Sequence, residues 1–195
     1  MAAAAAASIR AHHEQLSELD SVAGDGDHGG TMLRVVERLV GSFQPDRTES
    51  LNACLREAGW NILAVDGGAA SSLIGMFFVG MGDAPEEAGL GSLLEAWLSA
   101  LRQHSKADPG DKTMMDALVP AVKATRQALD AGGSEAEALR CAAVAARSGA
   151  EQTRNMKSRY GRAKFAGERT VGHADPGAVS IALIFEGFSQ GMEGP

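Results

Sequence analysis

Apolar residues recur along this chain with helical spacing and almost never alternate, which confines the fold to helices with little or no sheet. Leu90, Leu94, Trp97 and Leu101 form one stripe, filled in by Leu93 and Leu98. Met115, Leu118, Val119, Val122 and Leu129 form a second, and Ile181, Ile184, Phe185 and Phe188 a third. Such stripes are core faces. Pro120 interrupts the second, predicting a kink or a place near that helix's start. Breaker residues divide the chain into eight expected helices, over 2–19, 29–43, 49–65, 69–82, 88–106, 111–131, 134–155 and 176–191.

The connections between these helices are of two alternating kinds. Gln44 to Thr48, Asp83 to Glu87 and Gly132 to Gly133 are short turns carrying Pro, Asp or Gly, as helix hairpins need. The others are Asp20 to His28, Asp66 to Ser72, Ala107 to Thr113 and the long stretch from Met156 to Asp175, all rich in glycine or charge. In an up-down antiparallel bundle alternate connections share one end. The unusual loops therefore gather there with the N-termini of helices two, four, six and eight. Helix N-termini present unpaired N–H groups and a partial positive charge, so four together predict an anion site.

A length of 195 residues fits one domain spanning 1–195. Eighteen basic against 25 acidic side chains leave a net charge of -7, which argues against nucleic acid or an anionic membrane as partner. No stretch approaches a membrane span. The alanines after Met1 lack a basic or Leu-rich region and run into Arg10, His12, His13 and Glu14, so they are expected to begin a helix rather than a secretion signal. Cys54 and Cys141 lack CxxC spacing and are expected to be reduced core thiols of a cytoplasmic protein.

Three carboxylates, Asp20, Asp25 and Asp27, are spaced by Gly24 and Gly26 in LDSVAGDGDHGG. Such groups repel one another unless they share a cation, and an all-oxygen set suits Mg²⁺ or Ca²⁺. The alternative is that they only cap a helix and fill a turn. No glutamate stands twelfth from Asp20 or Asp25, which excludes an EF-hand. Gly24, Gly26 and Gly29 match GxGxxG literally, but a helix rather than a strand precedes them, so the dinucleotide reading fails. His28, Gly29, Gly30 and Thr31 open helix two, where small residues let backbone N–H groups approach phosphate. His28 itself reads as a nucleotide contact or polar cap ahead of a phosphocarrier or zinc ligand. Gly67 to Ser72 repeat the small-residue pattern, for phosphate or for close helix packing. In PGDKTM, Asp111 is expected to cap helix six and Met114 to fill the core or pack on a base. Asp175, Pro176 and Gly177 open helix eight as a cap followed by proline. Arg154, Lys157, Arg159, Arg162, Lys164 and Arg169 gather at the expected anion end, with Gly161, Phe165 and Gly167 among them. They form either a solvated run or a lid whose arginines pair with phosphate.

LDSVAGDGDHGG, GGAASSLIG, PGDKTM and GRAKFAGERTVGHADPGA together resemble the nucleotide-binding L subunit of dihydroxyacetone kinase and the matching C-terminal domain of single-chain forms, over about Asp20 to Phe188. The resemblance implies a closed barrel of eight antiparallel helices with ADP or ATP held at one end through two Mg²⁺ ions. It makes Asp20, Asp25 and Asp27 the metal ligands. It places His28, Gly29, Gly30 and Thr31 around the phosphates, and Ala69, Ala70, Ser105, Met114, Arg162, Asp175, Pro176 and Gly177 at the nucleotide. It also implies that Arg162 offsets transition-state charge, and that substrate sits on a separate K subunit whose histidine binds the sugar carbonyl. The donor is then free ATP, or bound ADP recharged by a phosphotransferase-system protein. Two departures stand out. GGAASSL replaces the family's usual GGASGPL, putting Ala70 where a phosphate-contacting serine is usual, with Ser71 beside it to compensate. The segment before Asp20 is short and alanine-rich. Two other functions fit less well: a nucleotide-dependent regulatory module without turnover, and a Ca²⁺- or Mg²⁺-stabilised structural protein.

Overall fold

The three apolar stripes meet in one core, with Trp97, Leu118, Ile181 and Phe185 wholly buried. The computed structural model describes residues 1–43 and 48–193; the expected turn at Gln44 to Thr48 lies almost wholly outside them. Among the described residues there are eight α-helices and no strand. They are α1 (Ala2–Ser21), α2 (His28–Gly41), α3 (Leu51–Leu63), α4 (Gly68–Gly82), α5 (Leu90–His104), α6 (Met115–Asp130), α7 (Glu135–Gln152) and α8 (Pro176–Met192). Each packs on its neighbours in sequence, and α1 packs on α8, so the up-down array closes into a barrel.

Local chemistry sets these boundaries. Ser50 and Ser134 cap α3 and α7 by accepting from the N–H groups of Ala53 and Glu137. Gly132, at φ +85°, stops the chain after α6. Closure depends on small residues: a Cβ on Gly187 of α8 would collide with Ala5, and one on Gly191 would lie 2.5 Å from the Met1 Cα. The alanine-rich start of α1 is thus the surface that lets α8 approach, with Ala5 and Ala6 wholly buried. In the interior, Phe77, Trp97 and Phe185 from three helices stack at centroid distances of 4.2 and 5.4 Å.

Several boundaries differ from expectation. Helix α1 runs to Ser21, so Asp20 stands in its last turn rather than in the loop. Helix α6 begins at Met115 rather than 111, because Gly110 and Lys112 are left-handed at φ 100° and 60°. Asp111 therefore does not cap α6. It accepts from Asp108 N–H at 2.9 Å, while Asp116, in the first turn of α6, accepts from Gly110 and Thr113 N–H at 2.5 and 2.8 Å. Pro120 lies early in α6 and has no N–H for the Asp116 carbonyl, and α7 comes up against that carbonyl at Gly149. Cys54 is buried as expected, but Cys141 lies exposed on the outer face of α7. No helix among the described residues is long and apolar enough to cross a membrane.

Candidate functional site

The loops α1–α2, α3–α4, α5–α6 and α7–α8 enclose a cavity of about 320 Å³ at one end of the barrel. Asp20, Asp25 and Asp27 stand on its wall, and one oxygen from each lies within 4.8 Å of the others. The loop is shaped to hold them together. The Asp20 carboxylate accepts from Gly26 N–H at 2.9 Å, Gly26 takes φ +75°, and any side chain on Gly24 would strike that carboxylate. An oxygen-only set at this spacing fits a hard divalent cation.

Helix N-termini supply the complementary charge. No side chain caps α2 or α4, in contrast to α3 and α7 at the opposite end, so first-turn N–H groups of α2 and α4 stay available beside the carboxylates. Helix α8 is capped by Asp175, whose Oδ2 accepts from Ala178 N–H at 2.7 Å. Burial pushes the Asp175 carboxyl up to about 7, against the pull of the Ala178 hydrogen bond and of Lys112.

His28 is buried, and its Nε2 lies 2.7 Å from Ser180 Oγ. Ser180 gives its own proton to the Pro176 carbonyl, so it accepts from an Nε2–H. Burial lowers the His28 pKa, opposed by the charge of Asp20 and the Pro176 carbonyl, which leaves a neutral imidazole on the wall rather than a cation. The only grouping of three or more metal-ligating side chains among the described residues is the aspartate triad, so His28 has no partners for zinc.

Ala69, Ala70, Ser105, Met114, Arg162, Asp175, Pro176 and Gly177 also line the cavity. Arg162 reaches it from the long α7–α8 segment, which carries three 3-10 turns, Thr153–Asn155, Arg162–Phe165 and Gly167–Thr170, and its guanidinium pairs with Asp25. Gly29, Gly30, Thr31 and Ser71 do not line the cavity. A Cβ at Gly29 would collide with the His13 carbonyl, so this glycine serves the approach of α2 to α1. Thr31 is buried against Gly67. Ser71 is buried, and its hydroxyl proton is shared between the carbonyls of Val65 and Gly68 inside the α3–α4 connection.

Lys112, Tyr160 and Ser180 went unmarked in the sequence. Lys112 and Tyr160 are on the wall, and Ser180 orients His28 from behind it. Only their positions inside PGDKTM, the basic segment and the DPG opening of α8 pointed toward them.

A model of the DAK2 domain family matches residues 22–190. Over 179 residues the chain is 35% identical to the ADP-binding subunit DhaL of the PEP-dependent dihydroxyacetone kinase of Escherichia coli K12, covering 89% of this chain and 85% of that one. It is 33% identical over 184 residues to the L-erythrulose 1-kinase of Mycolicibacterium smegmatis, covering 90% of this chain and 32% of that enzyme. Among solved structures, the dihydroxyacetone kinase of C. freundii superposes with a TM-score of 0.78 at 26% identity, over 97% of this chain and 33% of that one. The same kinase in complex with AMP-PNP and Mg²⁺ gives 0.77 at 26% identity, over 96% and 32%.

Proposed function

The chain belongs to the DAK2 domain family, and from that membership we propose that its residues act as one domain, the nucleotide-carrying subunit of a heteromeric cytoplasmic kinase for dihydroxyacetone or a related short keto-sugar. The observation that carries this reading is the convergence, on one cavity, of three carboxylates, uncapped helix N-termini and an arginine from a lid. That is the charge pattern of a metal-nucleotide phosphate chain, which needs anionic ligands for the cation and cationic partners for the oxygens.

Asp20, Asp25 and Asp27 would hold Mg²⁺, two ions by family resemblance, which when bound neutralises phosphate charge. Backbone N–H groups at His28, which opens α2, and at Gly68 to Ala70, which open α4, line the cavity and would take phosphate oxygens. Met114 and the small residues Ala69 and Ala70 offer apolar surface to the nucleoside, with Ser105 and the Asp175 to Gly177 turn closing the wall. Arg162 leaves Asp25 for the transferring phosphoryl group and meets its charge with paired donors. In the transfer, the bond from the γ-phosphorus to the β-bridging oxygen breaks and a bond to the sugar hydroxyl oxygen forms. The hydroxyl proton leaves to a base on the partner K subunit, which holds the sugar. The chain alone therefore does not phosphorylate sugar. The donor is free ATP, or ADP that stays bound and is recharged by a phosphotransferase-system phosphoprotein.

The test is to purify the chain, release small molecules by denaturation and quantify nucleotide, then titrate the emptied protein with ADP and ATP with and without Mg²⁺. Near-stoichiometric ADP surviving dialysis identifies the recharged mode, and an empty protein that binds ATP only with Mg²⁺ identifies the exchanging mode. Asp25→Ala should abolish the Mg²⁺-dependent part of binding, and undiminished binding would remove the triad from the metal. Absence of nucleotide binding under every condition would overturn the function.

A further inference from the structure

Lys112 is 4% exposed, stands at φ 60° where a residue with a Cβ is strained, and gives its Nζ protons to the carbonyls of Thr153 at 2.6 Å and His173 at 2.5 Å. Those two residues are the feet of the lid. Thr153 follows α7 and His173 precedes the cap of α8, with the whole basic segment between them. The feet also touch each other, through Gly172 N–H to Arg154 O at 2.7 Å and Asp175 N–H to Thr153 Oγ1 at 2.8 Å. Other ties join the lid to the same α5–α6 loop. Tyr160 Oη donates to Lys106 O at 2.9 Å, and Arg159 meets Asp111 through both backbone and guanidinium.

Burying an ammonium in left-handed backbone is costly unless its protons are used. Both carbonyls it uses come from distant chain, 41 and 61 residues on. Resting on the reading of the cavity as a nucleotide site, we propose that Lys112 is a positioning residue: it clamps both feet of the lid and so places Arg162 over the carboxylate triad. The exposed ties at Arg159 and Tyr160 set the lid's lean, while the buried amine sets whether the lid has a fixed base.

The experiment uses the full chain with Lys112→Met, which removes the donors, and Lys112→Gly, which removes the amine while relieving the left-handed backbone. Hydrogen exchange is followed on the free proteins at a temperature where circular dichroism shows them folded. Both variants should exchange amides within residues 157–174 about tenfold faster than the parent, with α1 to α5 unchanged. Lid rates equal to the parent's in Lys112→Gly overturn the proposal, since only the turn would then matter; this variant decides the question if Lys112→Met fails to fold. A double-mutant cycle on the Mg²⁺-ADP dissociation rate then reads the connection to Arg162. Lys112→Met and Arg162→Ala should each speed release, and the double variant should release no more than about twofold faster than Arg162→Ala alone. Multiplying effects would show that Lys112 acts elsewhere and overturn the placement of Arg162. A parent protein that binds no Mg²⁺-ADP refutes the proposed function instead, and the exchange rates still decide the clamp.

Discussion

Asp175 sets two physical demands against each other. As the cap of α8 it is best ionised, because a carboxylate accepts more strongly from Ala178 N–H and suits the helix dipole. Burial acts the other way and raises its pKa from 3.8 to about 7. A carboxyl whose pKa is raised by folding contributes most stability where it is protonated in both states, below about 4. That contribution is lost as pH climbs toward about 7, since the folded protein holds a proton there that the unfolded chain has released. Asp175→Asn keeps an acceptor for the cap and removes the titration. Thermal unfolding between pH 4 and 9 should therefore show the variant gaining on the parent as pH rises to about 7, with the difference constant above it. Parallel profiles across that range would mean that Asp175 is ionised throughout.

At the scale of elements, Gly29 and Gly30 are adjacent in the first turn of α2 but have opposite surroundings. A methyl group at Gly29 collides with the His13 carbonyl of α1, a backbone atom that no rotamer change can move. At Gly30 the nearest atom to such a methyl is Arg34 Nη1, 3.7 Å away. Gly29→Ala should cost about 1–3 kcal/mol through overpacking, whereas Gly30→Ala should stabilise by about 0.5–1 kcal/mol through helix propensity. Denaturant unfolding of the two variants measures both, and equal effects would contradict the packing. The sequence marks both glycines as small residues at a helix start and says nothing about whether the missing Cβ spares a ligand or a neighbouring helix. The helices themselves were legible because Leu94, Trp97 and Leu101 share one face whatever the topology. The aspartate triad was legible because its members are close in sequence. Lys112 was not, since its partners lie on another helix end and another loop, and the left-handed backbone that delays α6 leaves no mark on a lysine.

Over the whole molecule, the site depends on how the barrel closes. Helix α1 carries Asp20 in its last turn and is held at its other end by α8, where Gly187 meets Ala5. Fifteen residues of helix separate Ala5 from Asp20, roughly 22 Å at 1.5 Å per residue, so the closure and the metal ligand are opposite ends of one rod. Gly187→Ala sets two effects in competition. Alanine in mid-helix gains up to about 1 kcal/mol of propensity, but the added methyl meets Ala5 main chain and must push α1 and α8 apart. The collision should win, with a net loss of about 2 kcal/mol and a Tm lower by roughly 4–8 °C. If α1 moves as a rod, Mg²⁺-ADP affinity falls with stability although the substitution lies far from the cavity, and hydrogen exchange rises along all of α1. If only the closed end frays, the contact of Gly29 with His13 keeps Asp20 in place, and affinity is retained while Tm drops. Measuring Tm and Mg²⁺-ADP affinity on the same variant separates the two, and a Tm equal to the parent's would show that α8 closes the barrel without needing that glycine.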